Sequence, residues 1–257
     1  MIWDSGSEWL VVESHFCNTC AGYGYDYSSA DTFTIKPNSE GERNYGSAST
    51  EGFEAYETVC IKKLDSACIE EYHMFVVTAQ EGLPSAIDGI AGLSTGQFDG
   101  VDHSESKTIV EAWANAGVLS KPQFAFALND FKEETLVSSL DLGFFDEAKM
   151  SNPDDLVLFT SIPGDYWWTT TVEGVRFGDN TADAYSVTRQ LGITDSGSSC
   201  LVVPPDYYSW LLDYIEDYTV SGFTERDEGS YYVDCGEKIK LPSIWILYGG
   251  HWLEVRQ

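Results

Sequence analysis

A short stretch at the start of this chain comes back almost unchanged far along it. Asp4-Ser5-Gly6-Ser7-Glu8-Trp9-Leu10-Val11-Val12 is answered by Asp195-Ser196-Gly197-Ser198-Ser199-Cys200-Leu201-Val202-Val203, and only the fifth and sixth positions differ. Each copy is an acid, a hydroxyl, a glycine and a hydroxyl leading into an apolar, strand-like run. Duplication of one motif points to two related lobes, each supplying one carboxylate. Two carboxylates brought face to face are a known arrangement for general acid and base work on a single water.

With 257 residues, the chain is long enough to bury a sizeable core, as one large domain or as two lobes. Its 14 basic and 42 acidic residues give a formal charge of −28. Such a surface repels phosphate backbones and anionic lipids, which excludes nucleic-acid and membrane-surface roles. A hydrophobic share of 43% with 14% aromatic residues also excludes a disordered acidic tail. The pI of about 4.1 suits an acidic setting, because self-repulsion fades as the carboxylates protonate.

Six cysteines form two close pairs and two singles. The Cys17/Cys20 and Cys60/Cys68 spacings permit short-loop disulfides and hence an oxidising compartment. A zinc site built from both pairs competes with that reading, although only the first pair has a metal-like spacing. Cys200 and Cys235 are either bonded to each other or free. No apolar run reaches membrane-spanning length, and no basic-then-apolar leader opens the chain. The missing leader conflicts with disulfides unless an N-terminal segment lies outside this sequence.

Short apolar runs between Gly, Asp, Asn and Ser predict a mainly β protein, with strands at Thr32 to Ile35, Glu57 to Ile61, His73 to Val77, Gln123 to Leu128 and Leu156 to Phe159. Cys60 to Cys68 reads as a hairpin, and a second hairpin turns at Gly178-Asp179-Asn180 between Thr169 to Phe177 and Ala184 to Val187. Lys107 to Ala116 places Ile109, Ala112, Trp113 and Ala116 at helical spacing, stopped by Gly117. Pro204-Pro205-Asp206 opens a second helix with Tyr208, Leu211, Leu212 and Ile215 on its apolar face. Asn152-Pro153-Asp154-Asp155 marks a lobe boundary, giving an N-terminal lobe of 1–149 and a C-terminal lobe of 150–257. His15 reads as a surface loop residue, and His73, His103 and His251 carry no motif. Tyr166-Trp167-Trp168 reads as strand packing rather than a ligand platform.

The extended Asp-Ser-Gly-Ser repeat resembles the signature of the pepsin-like (cathepsin D/pepsin) aspartic proteases, which carry it once in each lobe. Further anchors span the chain in the family's order. Asn44-Tyr45-Gly46-Ser47-Ala48-Ser49-Thr50-Glu51-Gly52 resembles the flap that closes over substrate, with Tyr45 at its tyrosine. Asp88-Gly89-Ile90-Ala91-Gly92-Leu93 is similar to an N-lobe segment, and Leu140-Asp141-Leu142-Gly143 to the lobe-junction strand. Cys17 and Cys20 fall where the family has a small disulfide loop.

The resemblance implies a bilobal, mainly β fold with a cleft between the lobes, and an endopeptidase that cleaves polypeptides at acid pH. Asp4 and Asp195 would share one proton, a situation for which aspartic proteases are the standard illustration. The ionised member deprotonates a water, and the protonated one supports the oxyanion; neither cofactor nor metal is required. Gly6 and Gly197 allow tight turns that present amides to the carboxylates. Ser5 and Ser196 match hydroxyls that tie the two loops together, and Ser7 and Ser198 match those that bond the aspartates' outer oxygens. Tyr45, Gly46 and Ser47 would form the flap against substrate. Expected partners are polypeptide substrates and pepstatin-type inhibitors, with no nucleic acid, no membrane span and a monomeric state. The expected setting is a lysosome, an acidic vacuole or secretion.

This chain also departs from the family. It opens three residues before Asp4 and closes at Gln257, soon after Leu241-Pro242-Ser243-Ile244-Trp245-Ile246-Leu247, which resembles a mid-lobe strand. The expectation is a sequence truncated at both ends, with an incomplete C-terminal lobe. Val11 stands where the family has the tryptophan that bonds the flap tyrosine, with Trp9 two residues earlier, and Ala48 replaces a flap glycine. No Asn-x-Ser/Thr glycosylation site is present. The alternative reading is a catalytically impaired or truncated pepsin-like protein that binds peptides.

Overall fold

The structure is a computed structural model that describes residues 1–61, 67–85, 87–96, 108–129, 138–150, 152–163, 165–178, 185–218, 224–227, 230–236 and 241–255. Two compact units emerge. The first comprises Met1–Leu156, Ile162–Trp168 and Thr194–Gly197, and the second Val157–Ser161, Thr169–Ile193 and Ser198–Gln257. Asp195-Ser196-Gly197 thus packs into the same unit as the first motif, and Ser198 onward belongs to the second unit.

The first unit holds β1 (Ile2–Asp4), β2 (Leu10–Glu13), β3 (Thr34–Ile35), β4 (Gly41–Asn44), β5 (Ser49–Cys60), β6 (Cys68–Glu81), β7 (Gly89–Gly92), α1 (Ile109–Asn115), β8 (Phe124–Ala127) and β9 (Ser139–Leu142). Seven of these strands make one sheet, ordered β1-β7-β2-β6-β5-β3 with β4 also on β5. The centre of the sheet is buried on both faces, which its sequence records as unbroken apolar runs. Along β6, Met74 and Val76 join a cluster with Leu10, Ala91, Ile109 and Trp113, while the alternating Phe75 and Val77 join Val11 and Ile90 on the other side. Gly89 has φ +152°, and a Cβ there would strike the Val11 carbonyl, so only glycine lets β7 lie against β2.

The second unit adds β10 (Thr169–Phe177), β11 (Tyr185–Ile193), α2 (Pro205–Tyr218), β12 (Thr224–Asp227), β13 (Ser230–Tyr232), β14 (Ile244–Tyr248) and β15 (His251–Val255). Its main sheet runs β11-β10-β14-β15, and β12 pairs with β13. The helix α2 packs through Trp210 and Tyr214, whose rings lie 5.4 and 3.8 Å from Phe177 on β10. Tyr208, expected on the buried face, is exposed. The aromatic pair one turn apart sets the helix's rotation instead.

Other expectations shift at their edges. The first helix begins at Ile109, buries Ile109, Val110 and Trp113, and ends before Gly117, whose φ is +75°. Lys107, His103, the tip of the Cys60 to Cys68 hairpin and the turn at Asp179-Asn180 lie outside the described residues. Leu156 to Phe159 is not a strand: it follows a single 3-10 turn, Pro153–Asp155, and Leu158 lies open to solvent. Without a paired neighbour, β propensity alone does not make a strand. The same holds for Leu201-Val202-Val203, which stays unpaired with Val202 86% exposed, whereas its counterpart Leu10–Glu13 is a central strand.

Cys17–Cys20 and Cys60–Cys68 are disulfides, so the zinc alternative has lost its thiolates; Cys200 and Cys235 are free and exposed. No helix among the described residues is long and apolar enough to cross a membrane.

Glu13 ends β2 inside the core, 1% exposed, and its Oε2 has no hydrogen-bond partner among the described residues. Burial lifts its carboxyl above the usual range; the Gly22 amide pulls it down and the Asp88 charge pushes it up again. Such an acid costs the fold nothing while it is protonated in both states, and the cost appears as pH climbs past its unfolded value. Glu13→Gln is expected to stabilise the protein at pH 7 by about 1–3 kcal/mol, with roughly 2–4 °C of melting temperature per kcal/mol. The gain should shrink towards pH 3. Equal melting shifts at both pH values, followed by circular dichroism, would contradict this account.

Candidate active site

Asp4 is the last residue of β1, held parallel to β7 with Asp4 opposite Gly92. The segment after β7 then grips the motif loop: Leu93 N–H donates to the Asp4 carbonyl at 2.7 Å, and Ser94 N–H to the Ser7 carbonyl at 2.9 Å. The side chain of Asp4 is 7% exposed. Its Oδ1 accepts the Gly6 amide at 2.9 Å and its Oδ2 the Ser7 hydroxyl at 2.5 Å.

The second motif meets the first through a reciprocal exchange. Ser5 N–H donates to Ser196 Oγ at 2.9 Å, and Ser196 N–H donates to Ser5 Oγ at 2.9 Å. Each hydroxyl in turn donates to the carbonyl just before the opposite aspartate, Ser5 to Thr194 and Ser196 to Trp3, both at 2.8 Å. A hydroxyl with one donor and two acceptor sites is the smallest group that can do this.

This exchange brings the two carboxyls close together. Each motif's glycine makes room for the other's acid. A Cβ on Gly6 would lie 2.6 Å from the Asp195 carboxyl, and one on Gly197 would fall into the Asp4 carboxyl. Asp195 Oδ1 accepts the Gly197 amide at 2.8 Å, the counterpart of the Gly6 bond. The symmetry stops at the next hydroxyl. Ser198 Oγ donates to the Cys200 carbonyl at 3.2 Å, and Asp195 is exposed where Asp4 is buried.

Burial holds the Asp4 carboxyl above the usual range. Ser7 and Gly6 pull it down, while the hydrogen bond and like charge of Asp195 push it up. Burial and a like-charged neighbour thus both disfavour the charged form of Asp4.

Tyr45 begins the turn between β4 and β5, with its N–H donating to the Ala48 carbonyl at 2.7 Å. Its phenol is pushed upward by burial and by the charges of Glu8 and Asp4, and its ring packs against the cluster of Val11, Phe75, Val77 and Ile90. Gly46 and Ser47 form the turn itself.

Residues that the sequence reading assigned to strand packing also reach this site. Tyr166 donates its hydroxyl to Glu8, Trp167 Nε1 donates to the Gly6 carbonyl at 2.8 Å, and Trp168 Nε1 donates to the Leu93 carbonyl at 2.7 Å. Thr95 Oγ1 donates to the carbonyls of Asp165 and Tyr166, and Thr194 N–H to that of Trp168. The three aromatic residues therefore brace both motif loops. The available signal was that each ring carries a polar tip needing a buried partner.

The sequence profile described as eukaryotic aspartyl protease matches residues 1–257. The chain belongs to the eukaryotic aspartyl protease family. Among relatives of this family member, the vacuolar aspartic protease of Candida albicans is 27% identical, over 98% of this chain and 57% of the relative. The vacuolar protease A of Aspergillus fumigatus is 28% identical over 98% and 60%, and the gastricsin of Cavia porcellus 25% over 97% and 60%. The chain thus spans about three-fifths of the length of these relatives. The solved aspartic proteinase from Irpex lacteus superposes with a TM-score of 0.70 at 20% identity, over 98% of this chain and 70% of that one, which establishes the pepsin-like fold.

Because the folded state raises the Asp4 pKa, this acid penalises the fold at neutral pH and not when protonated. Asp4→Asn, which removes the charge, keeps one acceptor for the Gly6 amide and offers an NH2 to the rotatable Ser7 hydroxyl, is expected to melt higher than the parent at pH 7. The two should converge towards pH 3, and a lower melting temperature at pH 7 would refute the assignment of strain to this carboxyl.

Proposed function

We propose that this chain is an aspartic endopeptidase in which Asp4 and Asp195 share one proton and activate one water against a peptide carbonyl. The single observation that supports it most is the reciprocal Ser5 and Ser196 exchange, which sets each motif's glycine against the other motif's carboxyl. In this mechanism the ionised carboxylate takes a proton from water, which attacks the scissile carbonyl carbon. The protonated carboxyl donates towards the developing oxyanion, the other carboxyl passes the proton it took from water to the amide nitrogen, and collapse of the tetrahedral intermediate breaks the C–N bond and expels the amine. No covalent enzyme intermediate forms. Ser7 tunes Asp4 by hydrogen bonding to its charged form, and Tyr45 with Gly46 and Ser47 covers an extended polypeptide substrate.

The raised Asp4 carboxyl keeps the shared proton above the pH at which an isolated aspartate would lose it. The surface charge of −28 and the vacuolar names of several relatives agree with work in an acidic vacuole or lysosome, and gastricsins among the relatives agree with secretion. The two-lobe organisation at 1–149 and 150–257, the monomeric state and inhibition by pepstatin belong to the same proposal.

One observation favours the alternative, a pepsin-like protein that binds peptides without turnover: the Ser198 hydroxyl engages Cys200, and Asp195 is exposed. Incubation with an unfolded protein between pH 3 and 5, with and without pepstatin, separates the readings. Pepstatin-sensitive cleavage that Asp195→Asn reduces by about three or more orders of magnitude is the expected result; saturable peptide binding without cleavage supports the alternative. Ser7→Ala removes a bond that lowers the Asp4 pKa, so the alkaline limb of the pH–rate profile is expected to move to higher pH. A limb that stays fixed would remove Ser7 from the proton-sharing scheme.

A further inference from the structure

The Tyr45 ring packs on the cluster that holds Val11, but its hydroxyl finds no partner in Val11. That valine is fully buried among Phe75, Val77 and Ile90, with no polar atom to offer a tyrosine. A different group reaches across. Arg43 lies two residues before Tyr45, so the two side chains leave the hairpin on the same face. The Arg43 guanidinium carbon sits 4.5 Å from the Trp9 ring centroid and 4.5 Å from that of Phe75.

The guanidinium is also fixed from its other side. Its Nη2 donates to Glu54 Oε1 at 2.8 Å, and its Nη1 to the Glu42 carbonyl at 2.9 Å. Glu54 in turn meets Lys36 Nζ at 3.1 Å and His73 Nε2 at 2.9 Å. These neighbours help hold the Glu54 carboxyl below its ordinary value against a burial effect that raises it. His73 lies edge-on to Trp9 at 5.0 Å, closing a loop of contacts from β4 through β5 and β6 back to the residue after Glu8. The positive charge of Arg43 also faces the Glu8 carboxyl, itself bonded to Tyr166. With its side chain only 23% exposed, Arg43 is partly desolvated, the condition in which a cation over an aromatic face counts most.

We propose that Arg43 is a positioning residue that clamps the Tyr45 hairpin to the Asp4 loop through the Trp9 ring, in place of a tryptophan at position 11. It touches neither carboxyl of the dyad. Its action runs from Glu54 through the guanidinium to Trp9, and so to the backbone that continues from Asp4-Ser5-Gly6-Ser7. The inference rests on the endopeptidase reading for its kinetic consequence, but the clamp itself is a property of the folded chain.

The test combines amide exchange with kinetics. Arg43→Gln is expected to speed amide exchange across residues 44–49 by about tenfold, between the exposed and the fully desolvated limits of a cation–π contact. It should raise KM by a similar factor of about ten while kcat stays within about twofold, the pattern of lost binding rather than lost chemistry. Trp9→Leu should give the same pattern, and the double variant should be no worse than either single change. Arg43→Lys and Trp9→Phe, which keep a cation and a ring, should recover part of the loss and guard against a folding defect in the harsher variants. Unchanged exchange at 44–49 in folded Arg43→Gln protein, or effects of Arg43→Gln and Trp9→Leu that multiply, would overturn the clamp. If the parent chain has no turnover, the endopeptidase reading fails, and the exchange measurement still decides Arg43.

Discussion

Two serine hydroxyls hold this site together. Ser5 and Ser196 each accept the other's backbone amide and donate to the carbonyl ahead of the other's aspartate. Four bonds between segments far apart in the chain fix the separation and angle of two acids that would otherwise repel. A lone pair of like charges in water has no reason to meet. Here hydrogen bonds between backbone and hydroxyl supply that reason, and the carboxyls inherit their proximity from their neighbours.

Much of the remaining first unit serves that junction. The parallel pairing of β1 with β7 and the antiparallel pairing of β7 with β2 thread the Asp4 loop between two central strands. The backbone of Leu93 and Ser94 then ties its carbonyls down. Tyr166, Trp167 and Trp168 close it from another side. Acids are unusually well represented in these surroundings: Asp4 and Glu13 are buried and Glu8 is partly covered, and all three have carboxyls raised by burial. Protonation of these three acids as pH falls relieves their burial cost, while the lowered Glu54 and Glu57 carboxyls act in the opposite direction.

The repeated motif, the glycine-bounded hairpin around Tyr45 and the Asp88 to Leu93 segment were all legible, because each is a run of neighbouring residues with a local job. So was the β character of the chain, through short apolar runs such as His73 to Val77 set between turn residues. The misreadings share a cause. Leu156 to Phe159 and Leu201 to Val203 have the composition of strands, yet a strand exists only where a neighbour offers its ladder, and no window of sequence reveals that. Tyr166 to Trp168 looked like packing because the polar tips of aromatic rings say nothing about which distant carbonyl will receive them. Arg43 drew no attention at all, since one arginine among many acids carries no local pattern.

The sequence by itself determined the chemical parts: two acids, their glycines and hydroxyls, and the order of segments that matches a whole family profile. Tertiary structure decided how those parts differ from one another. It buried Asp4 and left Asp195 open, gave Ser7 to its aspartate and Ser198 to Cys200, and set Arg43 over Trp9. The reason is physical. Burial and contacts between remote segments depend on the path of the whole backbone, so two nearly identical motifs acquire different surroundings once the chain has folded around them.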